Sequence, residues 1–416
     1  MAIIRPFKAL RPKPELVTKV ASPPYDVLNR EEAYQMAKDN PDSFLHIGKS
    51  EIDLEPFIDS YDKKVYQKAR ENLDKMADEN IYIQDEKKYI YIYRQIMDGR
   101  AQTGLVVCTS IDDYLNGVIK KHENTRKDKE QDRINHINTT DANTGPIFLT
   151  YRTKQEVNKL IIDWTEKRKP VYDFISEDSI THTCWVIDDE QVIDQLIKAF
   201  ADIDYLYIAD GHHRAASGVK VGLNRREQFK DFSGEEEFNY FLSVIFPDEE
   251  LRIMDYNRVV ADLRGNSIEE FINKVSEKFR VKEYEKKEPY KPREKNNFGM
   301  YLDNKWYELT AKAGTFDQED VVERLDVSIL QNNLLSPVLG IKDPRTDKRI
   351  EFIGGIRGLK ELEKRVDVGA KVAFSLFPTS IKDLMAVADS GKVMPPKSTW
   401  FEPKLRSGIF IHKLSE

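Results

Sequence analysis

Helix-like and strand-like segments interleave along this chain without the regular strand–helix–strand alternation of a parallel α/β fold. Two β-rich runs, YIYIYRQI and TGLVVCTSI, flank Asp98-Gly99, a dipeptide typical of tight hairpins. Apolar residues recur at helical spacing over 56–79, which predicts one long amphipathic helix. Strands are expected at PIFLTY, VYDFI, HTCWVI and DYLYIAD, and helices over 154–167 and 189–201. Hairpins mixed with single helices predict the α+β class, with a mixed sheet as the core.

The length of 416 residues predicts two or three domains. We expect a main α+β domain at 1–262, which carries the candidate site. A charged, proline-containing stretch over 282–296, with short strands after it, indicates a smaller α/β unit at 263–340. Residues 341–416 are rich in Gly, Pro, Lys and Arg. We expect them to form a C-terminal segment that packs back on the site.

The charge balance argues against general nucleic-acid binding. The chain has 65 Lys and Arg against 72 Asp and Glu, a net charge of −7, whereas binding to a phosphate backbone needs a basic face. There is no uncharged apolar run of about 18 residues and no apolar signal core, so a cytoplasmic protein without a membrane partner is expected. Cys108 and Cys184 lie in apolar stretches and are predicted to be buried thiols. Nothing in the sequence indicates an oligomeric state.

The densest group of chemical side chains follows the predicted strand DYLYIAD. It consists of Asp210, Gly211, His212, His213 and Arg214. A helix that begins here would present backbone N–H groups and the positive end of its dipole, and Arg214 would add a fork for phosphate. The alternative is an ordinary strand-to-helix turn with surface histidines.

A second group combines an imidazole, a carboxylate and cations near His122 and Glu123, in the stretch KKHENTRKDKEQDR. Such a group could deprotonate a hydroxyl or hold a metal ion. The alternative is a solvated charged helix face. Asp26, after Pro23-Pro24, is a further candidate acid, with an Asx turn as the alternative.

The third group is a set of cations near the C-terminus. From Lys392 to Gly408 the cations outnumber the single anion, Glu402. Cations held by rigid prolines could clamp a phosphate or a carboxylate. We therefore predict phosphate contacts for Lys404 and Arg406, and substrate contacts for Lys397 and Arg357. The alternative is a basic loop that fixes a C-terminal strand.

Several long sequence motifs, spread over nearly the whole chain, resemble those of one protein family. They are RPFKAL with ASPPYDVL, KKHENT with the downstream DR, PIF, ADGHHR, and the closing FSLFPTSIKDLMAVAD with MPPKSTWFEPKLRSG. On these strings the chain is identified as a member of the domain-of-unknown-function family DUF1015. That label implies no activity.

Asp-Gly-His-His-Arg at 210–214 is also similar to the phosphate-binding motif of free serine kinases, which share the ParB/sulfiredoxin-like fold. This resemblance implies a helix that receives the donor phosphates and a carboxylate that activates the serine hydroxyl. Glu123, with His122 as an orienting donor, is expected to take the hydroxyl proton, and Asp26 after Pro23-Pro24 is the alternative base. The resemblance thus implies a phosphotransferase that makes O-phosphoserine from free L-serine.

The sequence leaves the phosphate donor open between ATP, ADP and pyrophosphate. The number of cationic side chains favours pyrophosphate. Mg²⁺ is expected as the cofactor because it shields phosphate charge. Two other functions stay open. One is a ParB-like protein that binds a nucleotide or a nucleic acid. The other is a sensor of a phosphorylated metabolite that does no catalysis.

Overall fold

The computed structural model describes residues 1–229 and 231–415, which divide into two compact units. Unit 1 comprises Met1–Leu251 and Pro403–Glu416, and unit 2 comprises Arg252–Glu402. These limits differ from the expected segments 1–262, 263–340 and 341–416. The reason is strand pairing, because one sheet of unit 2 takes its strands from all three expected segments.

The strands are short and spread over the whole chain. They are β1 (Ile4–Arg5), β2 (Ala9–Pro12), β3 (Tyr82–Gln84), β4 (Ile90–Met97), β5 (Arg100–Ser110), β6 (Ile119–Lys120), β7 (Ala142–Asn143), β8 (Ile147–Tyr151), β9 (Tyr172–Ile175), β10 (Thr181–Ile187), β11 (Leu206–Asp210), β12 (Tyr240–Pro247), β13 (Ile253–Met254), β14 (Tyr256–Val260), β15 (Phe279–Tyr284), β16 (Asn297–Leu302), β17 (Lys305–Ala311), β18 (Ile350–Gly354), β19 (Val372–Leu376), β20 (Trp400–Phe401) and β21 (Ile411–Lys413).

The helices lie between these strands. They are α1 (Val17–Val20), α2 (Arg30–Ala37), α3 (Leu45–Gly48), α4 (Lys63–Asp78), α5 (Ile111–Leu115), α6 (Lys127–Thr140), α7 (Gln155–Lys167), α8 (Glu190–Ala201), α9 (His212–Gln228), α10 (Ile268–Lys278), α11 (Asp326–Leu330), α12 (Lys360–Asp367) and α13 (Ile381–Asp389).

Unit 1 is built on a nine-stranded sheet with the order β6-β11-β8-β12-β5-β4-β10-β9, and β1 pairs with β5 beside this path. The pairs β6·β11 and β8·β12 are parallel, and the other pairs in the sheet are antiparallel. A second sheet has the order β3-β2-β21-β7, so strands from the beginning and end of the chain pair with each other. The predicted α+β class with a mixed sheet is confirmed.

The core of unit 1 lies between the large sheet and the helices that cover it. Leu105, Leu149 and Ile208 of the sheet pack in one buried cluster with Trp164 of α7 and Phe200 of α8. A smaller cluster joins α6 to α9 and to the C-terminal segment through Ile134, Ile137, Val221, Phe238 and Leu414.

Unit 2 has its own sheet, with the order β15-β17-β16-β19-β14-β18, and a small pair, β13·β20. Val259, Leu362 and Ala373 belong to its buried cluster, together with aromatic side chains of β16 and β17.

Local sequence signals account for several element boundaries. Asp98 and Gly99 have φ values of 53° and 76°, as a two-residue turn between β4 and β5 requires. Asn29 and Glu32 form the predicted capping box at the start of α2. The helix predicted over 56–79 begins later, at Lys63, because the Asp62 side chain caps its first turn.

Both cysteines, Cys108 and Cys184, are buried free thiols, as predicted. Among the described residues, no helix is both long and apolar enough to cross a lipid bilayer.

We expect Gly408→Ala to destabilise the protein strongly. Gly408 has a φ of +86°, and a Cβ there would lie 2.6 Å from Cβ of Phe44. Left-handed strain of about 1–2 kcal/mol would add to about 1–3 kcal/mol of overpacking. Chemical denaturation would measure the change in the free energy of unfolding.

Gly117→Ala is the matched control, because Gly117 has a φ of +74° but open space around the added Cβ. We expect this control to lose only the stability that corresponds to left-handed backbone strain, about 1–2 kcal/mol. Equal losses in the two variants would contradict the predicted clash with Phe44.

Candidate functional site

The densest sequence motif lies where two parallel strands end. β6 and β11 pair in parallel, with Lys120 opposite Tyr207. The carboxyl ends of parallel strands lie at the same edge of a sheet, so the residues that follow them converge. α9 begins at His212 directly after β11, and its first backbone N–H groups have no acceptor within the helix. We call residues 121–123 and 210–214 together the β6–β11 corner.

Asp210, the last residue of β11, is bound by two donors. Its Oδ1 accepts a hydrogen bond from the Gly211 N–H at 2.8 Å, and its Oδ2 lies 2.8 Å from Nζ of Lys404. Burial alone would raise the pKa of Asp210, but the cations of Lys404 and Arg214 hold that pKa well below its usual range. Asp210 is therefore a carboxylate that anchors Lys404, and it is a poor proton acceptor.

Gly211 and Arg214 shape the start of α9. Gly211 has a φ of +92°, a conformation that glycine adopts without strain. Nη1 of Arg214 donates to the carbonyl of Pro146 at 2.6 Å, and its Nη2 lies 3.9 Å from Oδ2 of Asp26. The carbonyl fixes one side of the guanidinium, and a fixed guanidinium is well suited to bind an anion.

His213 presents a defined tautomer. Its Nε2 accepts a hydrogen bond from the Arg126 N–H at 3.0 Å. Burial lowers the pKa of His213, so a neutral ring with its proton on Nδ1 is expected. That Nδ1–H is a hydrogen-bond donor in the first turn of α9.

His122, Glu123 and His212 form the other half of the corner. The two imidazole rings meet edge to face, with centroids 4.5 Å apart. Oε2 of Glu123 lies 4.0 Å from Nδ1 of His212. Burial lowers the pKa of both imidazoles, that of His122 to about 4, so both rings are neutral at neutral pH. The three side chains are close enough together to hold a metal ion.

A cavity of about 40 Å³, connected to solvent, adjoins the corner in unit 1. Arg214 lines it, together with polar side chains from α6, from the N-terminal segment and from the loop before β8. These polar residues are Ser22, Tyr25, Arg133, His136, Asn143, Thr144 and Ser407. The Arg133 guanidinium stacks over the Tyr25 ring at 4.0 Å and pairs with Asp132 at 2.8 Å. The cavity therefore has a mixed lining, since Phe44, Leu45 and Ile147 also line it, and Asp26 lies next to the Arg214 guanidinium in its wall.

The C-terminal cations have different surroundings. Lys404 lies at the corner, bound to Asp210. The Arg406 side chain is buried and contacts Ser176, Asp178 and His182 near β9 and β10. Its phosphate contact stays a prediction, because these bonds lie at β9 and β10, at the other end of the sheet from β6 and β11. Arg357 and Lys397 belong to unit 2, and their substrate contacts stay predictions.

The family model for proteins of unknown function (DUF1015) matches residues 4–328. The chain belongs to the DUF1015 family. The matched residues include the motif strings near both strands of the corner, whereas the closing strings lie after residue 328. No curated protein matches this DUF1015 chain.

Solved structures that are similar to the DUF1015 chain share little sequence with it. A conserved hypothetical protein from Pyrococcus furiosus is 16% identical, with a TM-score of 0.36 over 74% of this chain and 95% of that chain. A free serine kinase in complex with AMP is 14% identical, with a TM-score of 0.35 over 74% and 91%. SbnI with a C-terminal truncation, from Staphylococcus aureus, is 10% identical, with a TM-score of 0.38 over 74% and 87%. These similarities assign no activity to the DUF1015 chain.

Sequence reasoning did not select part of the pocket lining in the DUF1015 chain. Asn143 ends β7, Thr144 and Gly145 belong to the link from β7 to β8, and Tyr25 follows the diproline next to Asp26. The short Thr-Gly-Pro link before β8 was the available signal, since glycine in a loop lets the backbone come close to a ligand.

We expect buried His136 to make the stability of the DUF1015 chain pH-dependent. Burial and the cation of Arg133 lower the pKa of His136 to about 4, and its Nε2 lies 3.1 Å from the Ile47 carbonyl. The unfolded chain, with a histidine pKa of about 6.5, takes up the proton first, so stability is lost as the pH falls from about 6.5 towards 4. This residue alone should lower the free energy of unfolding by about 2 kcal/mol between pH 7 and pH 5.

His136→Gln keeps an amide donor for the Ile47 carbonyl but cannot titrate. Urea unfolding at both pH values would test the prediction. A variant whose stability falls as much as that of the parent chain would contradict it.

Proposed function

We propose that this chain is a small-molecule phosphotransferase that phosphorylates the hydroxyl of free L-serine to give O-phosphoserine. The observation that carries the proposal is the start of α9, where the backbone N–H groups of the first turn and the His213 donor adjoin Arg214, whose guanidinium lines a cavity. The similarity of Asp210–Arg214 to the motif of free serine kinases supports the same function, and it would make this corner a ParB/sulfiredoxin-like phosphate-binding element.

The donor phosphates would bind at the positive end of α9. The N–H groups of its first turn, the Nδ1–H of His213 and the Arg214 fork are the donors available to phosphate oxygens. Lys404 adds a cation next to this point because Asp210 holds it there. Phosphoryl transfer depends mainly on such positioned charges, since the transferred group is already electrophilic.

Asp26 is the base that we propose for the serine hydroxyl. Its side chain is 43% exposed and lies 3.9 Å from the Arg214 guanidinium, so a substrate could reach it. The serine oxygen would attack the terminal phosphorus of the donor while the bond to the leaving phosphate breaks. The hydroxyl proton would pass to the Asp26 carboxylate. Glu123 is the alternative base, next to His212.

Pyrophosphate is the donor that we propose, with ATP and ADP as the alternatives. The proposed donor groups at the corner, N–H groups, His213, Arg214 and Lys404, all suit phosphate oxygens. They would bind a small, highly charged donor without contacts to a base or a ribose.

The expected Mg²⁺ does not match the metal-binding group of the corner. Among the described residues, the group of His, Cys, Asp and Glu side chains close enough to hold a metal has two imidazoles and one carboxylate. Mg²⁺ prefers oxygen ligands and several waters. No step of the proposed reaction is therefore assigned to a protein-bound Mg²⁺.

The experiment that tests the function is direct. The purified full-length chain would be incubated with L-serine and each of pyrophosphate, ATP and ADP, with and without MgCl₂. Mass spectrometry would detect O-phosphoserine. We expect product with pyrophosphate, and the absence of phosphoserine with all three donors would contradict the proposed activity.

A further inference from the structure

Strand pairing brings two histidines together from positions 90 residues apart in the chain. His122 follows β6 by two residues, and His212 follows β11 by two residues. These strands pair in parallel, and β6 ends opposite Tyr207, three residues before the end of β11. The chain after β6 therefore leaves the sheet at the same edge as α9, where the His122 N–H lies 3.5 Å from Nε2 of His212. Glu123 comes directly after the first histidine and faces the second across 4.0 Å.

Neither ring nitrogen of His122 makes a hydrogen bond of good geometry, although the Ile208 backbone lies near the ring. Both of its ring nitrogens are buried, and the residue is 2% exposed. Buried polar atoms in proteins are nearly always bonded, so an unpartnered imidazole needs an explanation. Its ring lies against that of His212, which is 6% exposed.

The chemistry of the three side chains indicates the class of ligand. Neutral imidazoles and one carboxylate are typical ligands of Zn²⁺ and similar transition metals, whereas Mg²⁺ and Ca²⁺ select oxygen. Two histidines and one glutamate also form a known three-ligand set of zinc sites that keep an open position.

The spacing is compatible with metal binding after a small closure. The three ligand atoms lie within 4.8 Å of one another. Ligand atoms about 2.1 Å from a tetrahedral Zn²⁺ lie roughly 3.4 Å apart. Glu123 is partly exposed, so its side chain can adjust. The His212 ring, ligating through Nδ1, would give up the long contact of 3.5 Å between its Nε2 and the His122 N–H.

We propose that His122, Glu123 and His212 bind one divalent transition metal of the Zn²⁺ class, with at least one coordination position open to water or to a substrate oxygen. The site lies at the β6–β11 corner but does not depend on the proposed serine phosphorylation. It also gives His122 the partner that its buried ring nitrogens lack.

Spectroscopy with Co²⁺ tests this site without an activity assay. The full-length chain would be freed of metal with a chelator and titrated with CoCl₂, and the visible d–d absorption would report coordination number and affinity. We expect one equivalent to bind, with Zn²⁺ displacing it and a large excess of MgCl₂ leaving it bound. Failure to bind Co²⁺, or displacement by Mg²⁺, would overturn the proposal.

Matched variants locate the site. Glu123→Gln and His122→Gln should each weaken Co²⁺ binding by at least about 100-fold, a conservative figure for loss of a direct ligand. His46→Gln is the control, because His46 pairs with Asp53 at a different place in unit 1. If His122→Gln does not fold, Glu123→Gln still tests the metal site. Glu123 is partly exposed, so we expect its substitution to leave the fold intact. Unchanged Co²⁺ affinity in Glu123→Gln would refute the assignment, whatever the result for serine phosphorylation.

Discussion

Arg214→Ala should weaken binding of pyrophosphate by about 10- to 100-fold, the size expected when one charge-assisted hydrogen-bonding group is lost. The guanidinium is held by the Pro146 carbonyl at 2.6 Å and lines the cavity, so its donor fork is fixed before the ligand arrives. Isothermal titration calorimetry with pyrophosphate would measure the change in Kd.

Arg214→Lys is the matched variant, because it keeps the charge but loses the planar fork. We expect it to bind pyrophosphate better than Arg214→Ala and worse than the parent chain. Circular dichroism would check that both variants are folded. Equal Kd values for Arg214→Ala and the parent chain would remove Arg214 from the phosphate site.

Asp26→Asn should lower kcat for serine phosphorylation by about 10²- to 10⁴-fold, the usual contribution of a positioned general base. Donor affinity should change little, because the amide keeps the size of the side chain and Arg214 retains its bond to Pro146. Steady-state kinetics with serine and pyrophosphate would separate kcat from KM.

Asp39→Asn is the control for this change, because Asp39 is an exposed carboxylate just after α2. It should leave kcat unchanged. The result that contradicts the assignment is full turnover in Asp26→Asn together with a large loss in Glu123→Gln, which would make Glu123 the base.

Local chemistry could be predicted from the sequence. Asp98-Gly99 has a strong preference for the turn that it forms, and the Asn29 side chain needs only Glu32, three residues away, to cap its helix. The same holds for the strand that ends at Asp210 and the helix that begins at His212, since the signal for this corner lies in adjacent residues.

Long-range pairing could not be predicted in the same way. Nothing in the local pattern indicates that the short β6 pairs with β11, yet this pairing brings His122 to His212. Lys404 and Asp210 meet across 194 residues, and the charge of Arg406 gave no sign that Asp178 would be its partner. The number of cations in a segment predicts an anion-binding site, but it does not show which of these cations are already paired with carboxylates of the protein.

The position of the last residues of unit 1 has a consequence for biosynthesis. β21 pairs with β2 and β7, and Lys404 reaches Asp210, so residues far apart along the chain complete one structure. A nascent chain lacks this strand and this cation until residues 404–413 have been synthesised. Chains released early by the ribosome would therefore carry an unfinished corner, whatever the state of the residues already made.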